Sequence, residues 1–259
     1  MRCFYLPEPV FVAGATMPLP PALARHVLTV LRLCAGEKFE LFNGSGEVAK
    51  AVLLENSRVL LEEVFRSDPP RCQLTLIQGL PKGDKLEFIL QKGTELGVNQ
   101  FFVTRMGRSV GQLKSERQEK KIERWEKIIQ EASRQCRQFF LPRLSAAQTF
   151  AETLSVVEAD LKLLLWEESS EPLAQLLPVC PPQRIAVVVG PEGGISREEA
   201  DLAQAQGYRA VGLGPRILRT ETAGIAIMTI LQYLYGDLAV CQQAGTNDCS
   251  KERKSHEMS

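Results

Sequence analysis

The chain has 259 residues, no net formal charge, 44% hydrophobic and 24% charged residues, the balance of a globular protein with one large domain or a small domain beside a larger one. No apolar run approaches the roughly 20 residues a membrane helix needs, and the opening Met1-Arg2-Cys3-Phe4-Tyr5-Leu6-Pro7 lacks the apolar core of a secretion signal. Seven scattered cysteines without a C-x-x-C pair, and two histidines, argue against a zinc site and a disulfide framework and point to a reducing cytosol.

Zero net charge hides an asymmetry: residues 71–145 carry +7, against −1 before them and −6 after. A basic middle third suits phosphate binding. A solvated helix face, with acidic neighbours interleaved, accounts for the same charges equally well.

In chain order, residues 1–70 read as short strands at 37–42, 47–54 and 59–65, with a turn at Asn43-Gly44-Ser45-Gly46. That spacing predicts a small β-barrel or sandwich, with one helix over 20–33. Ser67-Asp68-Pro69-Pro70 reads as a linker, since paired prolines block both helix and ladder. Beyond it the pattern alternates: strand 74–77, helix 84–96 stopped by Gly97, strand 101–104, and a long helix over 115–138. Continuous apolar runs at 161–165 and 185–189 are of the kind found in buried parallel strands. A short strand at 210–214 and a helix at 224–234 follow, giving an α/β sheet with helices on both faces. The polar, aperiodic tail from 242 predicts disorder.

Two loops carry the chemistry. In the first, the apolar strand 185–189 runs into Gly190-Pro191-Glu192-Gly193-Gly194-Ile195, and Ser196 with Glu199 forms a capping box that opens a helix. Glycines after a parallel strand let backbone amides approach a ligand closely; a plain tight turn would look the same. The pattern matches neither the dinucleotide nor the P-loop motif. The second loop, Leu213-Gly214-Pro215-Arg216-Ile217-Leu218-Arg219-Thr220-Glu221-Thr222-Ala223, mixes aliphatics with arginines, a glutamate and threonines. This blend suits a ligand pocket, although Thr220 or Thr222 as a helix cap is locally sufficient.

Together these loops resemble the signature loops of the ribosomal small subunit methyltransferase E family, within the SPOUT class. Other stretches match in order: HVLTVLR from His26 to Arg32, the turn at 43–47, KGDKLEFILQKGTELGV from Lys82 to Val98, Arg108-Ser109, Arg124-Trp125, Glu131-Ala132 and Gln135-Cys136. The resemblance covers residues 1–238. It implies a PUA-like β-barrel over 1–70 that holds RNA and a trefoil-knot α/β domain over 71–240, with the tail at 241–259 outside both. A knot is almost absent from proteins at large, so it rests on the resemblance alone.

The implied reaction is methyl transfer from S-adenosylmethionine to N3 of a uracil in 16S rRNA of the 30S subunit, by a cytoplasmic homodimer without metal. The resemblance places the cofactor among three loops. These supply Leu165 and Trp166; then Gly190, Pro191, Glu192 and Gly194; then Leu213, Gly214, Ile217, Leu218, Thr220, Thr222 and Ala223. Uracil N3 must lose a proton, so a fixed cation that holds negative charge on O2 or O4 is needed, and Arg219 suits it. Glu221 is the acidic partner candidate; Glu221 or Glu192 qualifies as a base where burial raises its carboxyl or a water relays the proton. For RNA phosphates the matched motifs supply Arg25, Arg32, Lys92 and Arg108. The family pattern has a small residue and then arginine after the Gln135-Cys136 pair, whereas here Arg137-Gln138 follows. Arg137 is therefore the candidate to take over that RNA contact from the neighbouring position, offset by about 100° around an α-helix. Trp125 reads as core, Phe139 and Phe140 as possible base-stacking groups, and the apolar helix from Ala223 as a dimer element. The alternatives are a methyltransferase of the same class acting on tRNA or a ribose hydroxyl, and a non-catalytic RNA-binding or ribosome-assembly factor.

Overall fold

The first sheet is built from β1 (Cys3–Tyr5), β2 (Thr16–Pro18), β3 (Lys38–Phe42), β4 (Glu47–Leu53) and β5 (Arg58–Arg66), in the order β1-β3-β4-β5-β2. The structure, a computed structural model, describes residues 1–8, 10–109, 115–169 and 171–239, so the tail expected to be disordered lies outside the described residues. β1 runs parallel to β3 and the other pairs are antiparallel. A bulge between Lys50 and Ala51 bends the sheet, which closes over Phe39, Leu41, Ala49, Ala51, Val59 and Leu61. The three strands expected here are present. β1 and β2 escaped the reading because each is three residues long.

The expected helix at 20–33 is shorter. It consists of α1 (Pro21–Arg25) followed by a π-helical turn, His26–Val30, and Arg32 already has a left-handed φ of 55°. Val27 faces the core, while Arg25, Leu28, Val30 and Arg32 face solvent.

The second sheet has six parallel strands: β6 (Gln73–Gly79), β7 (Val98–Arg105), β8 (Arg143–Thr149), β9 (Leu161–Leu165), β10 (Arg184–Val189) and β11 (Arg209–Val211), in the order β11-β9-β10-β6-β7-β8. β10 is apolar on both sides because both sides are covered. On one, Ile185, Val187 and Val189 meet α2 (Lys85–Glu95), α3 (Ser115–Cys136) and α7 (Thr220–Tyr235) through Leu86, Ile89, Ile129, Ile227, Met228 and Leu231. On the other, Ala186 and Val188 meet α4 (Phe150–Val156) and α6 (Arg197–Ala205) through Phe150, Leu154, Ala200 and Ala203. The short α5 (Leu173–Leu176) adds Leu176 to the first side. The expected α/β architecture, a parallel sheet behind a small β-domain, holds. Trp125 is buried in this core, as its place on an apolar helix face implies.

α7 starts at Thr220, four residues before the expected 224, with Arg219 as its N-cap residue and no side-chain cap. Neither Thr220 nor Thr222 caps the helix.

The two sheets dock through the 43–46 turn. Leu141 N donates to Gly44 O (2.9 Å) and Gly46 N to Phe139 O (3.1 Å). Phe139 packs on Phe42 with ring centroids 5.8 Å apart, so Phe139 and Phe140 belong to the seam between the sheets. Arg137 corrects the helical-offset argument: α3 ends at Cys136 and Arg137 takes a φ of 63°, so no helical turn carries it to the neighbouring position. Its guanidinium instead reaches the buried Glu40 carboxylate at 2.9 Å. Burial, with Glu40 adding to it, pushes the nearby Cys3 thiol up to about 12.

Gly46 has a φ of 93°, and a Cβ there would lie 2.4 Å from Phe140 Cζ. Gly46→Ala is therefore expected to destabilise the chain by about 1–3 kcal/mol, read as a lower midpoint in urea unfolding.

Candidate functional site

Leu165 stands in register with both Val189 and Val211, so β9, β10 and β11 end level and their loops leave from one line. This is the carboxyl edge of a parallel sheet, where open α/β folds bind ligands. The three loops enclose a cavity of about 430 Å³, within the size range of small-molecule sites.

The loop after β9 is stitched to β11. Trp166 N donates to Val211 O (3.2 Å), Gly212 N to Glu171 O (3.2 Å), and Ser169 Oγ to Ala210 O (2.9 Å). After β10, Gly194 N closes a turn on Pro191 O (2.9 Å). Gly194 has a φ of 75°, and a Cβ there would sit 2.7 Å from Glu167 Oε1, so glycine lets the first two loops touch. The Ser196–Glu199 capping box is present, with Ser196 N donating to Glu199 Oε2 (2.9 Å) and Glu199 N to Ser196 Oγ (3.2 Å). Glu199 Oε1 also accepts from Gly107 N (2.7 Å), and Arg108 Nη1 donates to Gly193 O (3.1 Å). The third loop leaves Ile217 86% exposed beside the cavity, an apolar group suited to cover a ligand.

Every cofactor candidate named from the sequence lines this cavity except Thr222, which is exposed on α7. Arg219 lines it too. Glu221 stands beside it: Lys85 Nζ lies 3.1 Å from Glu192 Oε1 and 3.4 Å from Glu221 Oε2. Lys85 and Glu167 also line the cavity and were missed. Lys85 sits in the matched 82–98 stretch, but at the start of an amphipathic helix its charge reads as a solvated face.

Burial works to raise the Glu192 carboxyl. Hydrogen bonds from its own backbone N–H, the Lys85 ammonium and Lys82 N–H outweigh that and hold it below the usual carboxylate range. The burial-raised base considered from the sequence is thus not found at Glu192. The same contact raises the Lys85 ammonium, so a fixed cation–anion pair stands at the rim.

The RNA candidates are not brought to one spot. Arg25 and Arg32 are exposed on the first domain. Lys92 pairs with Glu95 (2.8 Å) in a groove between α2 and α3 that Arg124, Lys127 and Arg134 also line. Arg108 touches the Gly193 loop, and Arg137 ties the two sheets. On α7, Ile227, Met228 and Leu231 are buried, whereas Ile230, Tyr233 and Leu234 are exposed. Among the described residues no group of three or more His, Cys, Asp or Glu could hold a metal ion, and no helix is long and apolar enough to cross a membrane.

A lowered Glu192 carboxyl makes its ion pair with Lys85 a source of stability above the usual carboxylate range, lost as pH falls through the lowered value. Lys85→Ala should move the Glu192 midpoint upward in an NMR titration. An unmoved midpoint would mean that the backbone donors alone hold it.

Residues 68–232 match the family model described as an RNA methyltransferase domain, and residues 19–63 match an RNA methyltransferase PUA domain. Ribosomal RNA small subunit methyltransferase E of Bacillus subtilis is 33% identical over 220 residues, spanning 80% of this chain and 86% of that protein. A ribosomal RNA small subunit methyltransferase E from Neisseria gonorrhoeae, solved bound to S-adenosyl methionine, superposes with a TM-score of 0.83 at 34% identity, covering 92% of this chain and 99% of that one. A methyltransferase from Legionella pneumophila, solved with the bound cofactor SAM, gives a TM-score of 0.83 at 32% identity, covering 91% and 98%.

Proposed function

The chain belongs to the RNA methyltransferase family that includes ribosomal RNA small subunit methyltransferase E, and from that premise we propose that it transfers a methyl group from S-adenosylmethionine to N3 of a uracil in 16S rRNA. The observation that carries this reading is the cavity at the level ends of β9, β10 and β11, lined by the three loops the resemblance assigns to the cofactor.

The residues fit that cofactor. Leu165, Val189, Ile195, Leu213 and Leu218 offer an apolar enclosure for an adenine ring, glycines 190, 194, 212 and 214 leave backbone open to it, and Glu167 supplies negative charge toward a cationic ligand. When bound, S-adenosylmethionine supplies an electrophilic methyl on a sulfonium. The chain's part is to hold the base in line, exclude water and manage the N3 proton. Arg219, at the cavity and N-terminal to α7, holds the negative charge that develops on O2 or O4 as the proton leaves. Glu221 acts through Lys85, which it shares with Glu192.

In this reading residues 1–70 hold RNA and residues 71–240 carry the transfer site, whose C-terminal crossing is the trefoil knot. Arg25 and Arg32 contact RNA from the first domain, and Lys92 and Arg108 from the second, while Arg137 stays with Glu40 between the sheets. Two copies associate through the apolar side of α7 that carries Ile230, Tyr233 and Leu234. The substrate is the 30S subunit, met in the cytoplasm.

The test offers labelled S-adenosylmethionine with 30S subunits from cells lacking the activity, free 16S RNA, and tRNA, and identifies the labelled nucleoside by mass spectrometry. N3-methyluridine in 16S RNA is expected. Label in tRNA or on a ribose would overturn the substrate, and no transfer would overturn the reaction. Arg219→Ala is expected to lower turnover by roughly 10²-fold with little change in cofactor affinity; equal losses in both would make Arg219 a cofactor ligand.

A further inference from the structure

Gln78, the penultimate residue of β6, is 1% exposed and does not line the cavity. Its Nε2 donates to Gly79 O and to Thr220 Oγ1, both at 2.9 Å, and lies 3.4 Å from Gly190 O. Thr220 Oγ1 in turn donates to Gly190 O at 2.6 Å. One amide and one hydroxyl thus join the end of β6, the turn after β10 and the first residue of α7. Gly79 extends the contact, since a Cβ there would fall 2.6 Å from Pro191 Cδ, so the turn rests directly on β6.

Among the described residues Gln78 Oε1 has no hydrogen-bond partner. A buried amide with one side unmatched is costly, and an apolar side chain of similar shape would fill the same space without that cost. Keeping the amide makes sense where its two N–H groups are needed. Both are spent within one layer below the cavity floor formed by Gly190, Pro191 and Thr220.

We propose that Gln78 is a positioning residue of the transfer site: through the Thr220 hydroxyl it clasps the Gly190–Pro191 turn to the start of α7 and so sets the shape of the cofactor cavity. The proposal rests on the reading that this cavity holds S-adenosylmethionine. It also reassigns the Thr220 hydroxyl, which is committed to the clasp and not to the ligand.

The experiment measures S-adenosylmethionine binding by calorimetry, alongside thermal unfolding, for the unsubstituted chain and for Gln78→Met, Thr220→Val, Thr220→Ser and the double variant Gln78→Met/Thr220→Val. Met and Val keep the volumes and remove the donors. Each single change is expected to weaken binding roughly tenfold, the scale of one lost buried hydrogen bond. The double variant should bind about as the weaker single one, because both changes open the same clasp. Thr220→Ser, which retains the hydroxyl, should recover most of the affinity that Thr220→Val loses. Parent-like affinity in Gln78→Met and Thr220→Val with a lowered unfolding temperature would overturn the proposal, since it marks a purely structural role. Failure of both to fold while Thr220→Ser folds would overturn it as well, placing the bonds in the core's stability. Absence of binding by the unsubstituted chain would overturn the cofactor reading itself.

Discussion

α7 has to bury Ile227, Met228 and Leu231 against the centre of the parallel sheet, although the strand that precedes it, β11, lies at the sheet's edge. The chain must therefore travel back across β9 and β10 between residues 212 and 219. On the way Gly212 is held to Glu171 and Pro172, so the return is pinned against the loop after β9. That forced crossing brings three loops together at the ends of three level strands. In the knotted fold, burying the last helix and building the site are one event.

The same constraint explains the site's polar architecture. Loops crowded this closely leave backbone groups that need partners, and glycines carry close contacts at Gly190, Gly193, Gly194 and Gly212. The Gly190–Gly194 turn is held from three directions: by Thr220 and Gln78 beneath, by Lys85 and Lys82 N–H on Glu192, and by Arg108 on Gly193. A loop braced in this way is pre-organised, which lowers the ordering cost of binding. Arg108 also places an RNA candidate one hydrogen bond from the cofactor candidates.

Much of this was legible in the residues. The runs at 161–165 and 185–189 could hardly be anything but buried strands, and Ser196 with Glu199 marked the start of α6. Where tertiary contacts decide, reading failed. β8 is an edge strand without an apolar run, and α4 carried an overlooked signal, the Thr149–Glu152 capping box. α7 was started too late because Thr220 and Thr222 look like caps, whereas the Thr220 hydroxyl turns toward Gly190. Gln78 is polar within an apolar strand and gives no local hint of partners 112 and 142 residues away. Arg137 looked like a helical residue because nothing before it announces the end of α3. The knot leaves no periodicity and was reachable through resemblance alone.

The central claim is that the crossing builds one cofactor site from three loops, and hydrogen–deuterium exchange with and without S-adenosylmethionine tests it most directly. The account predicts slowed exchange at 165–169, 190–194 and 212–223 together, with residues 1–66 unchanged. Protection confined to one of these loops, or appearing in the groove between α2 and α3 instead, would contradict it.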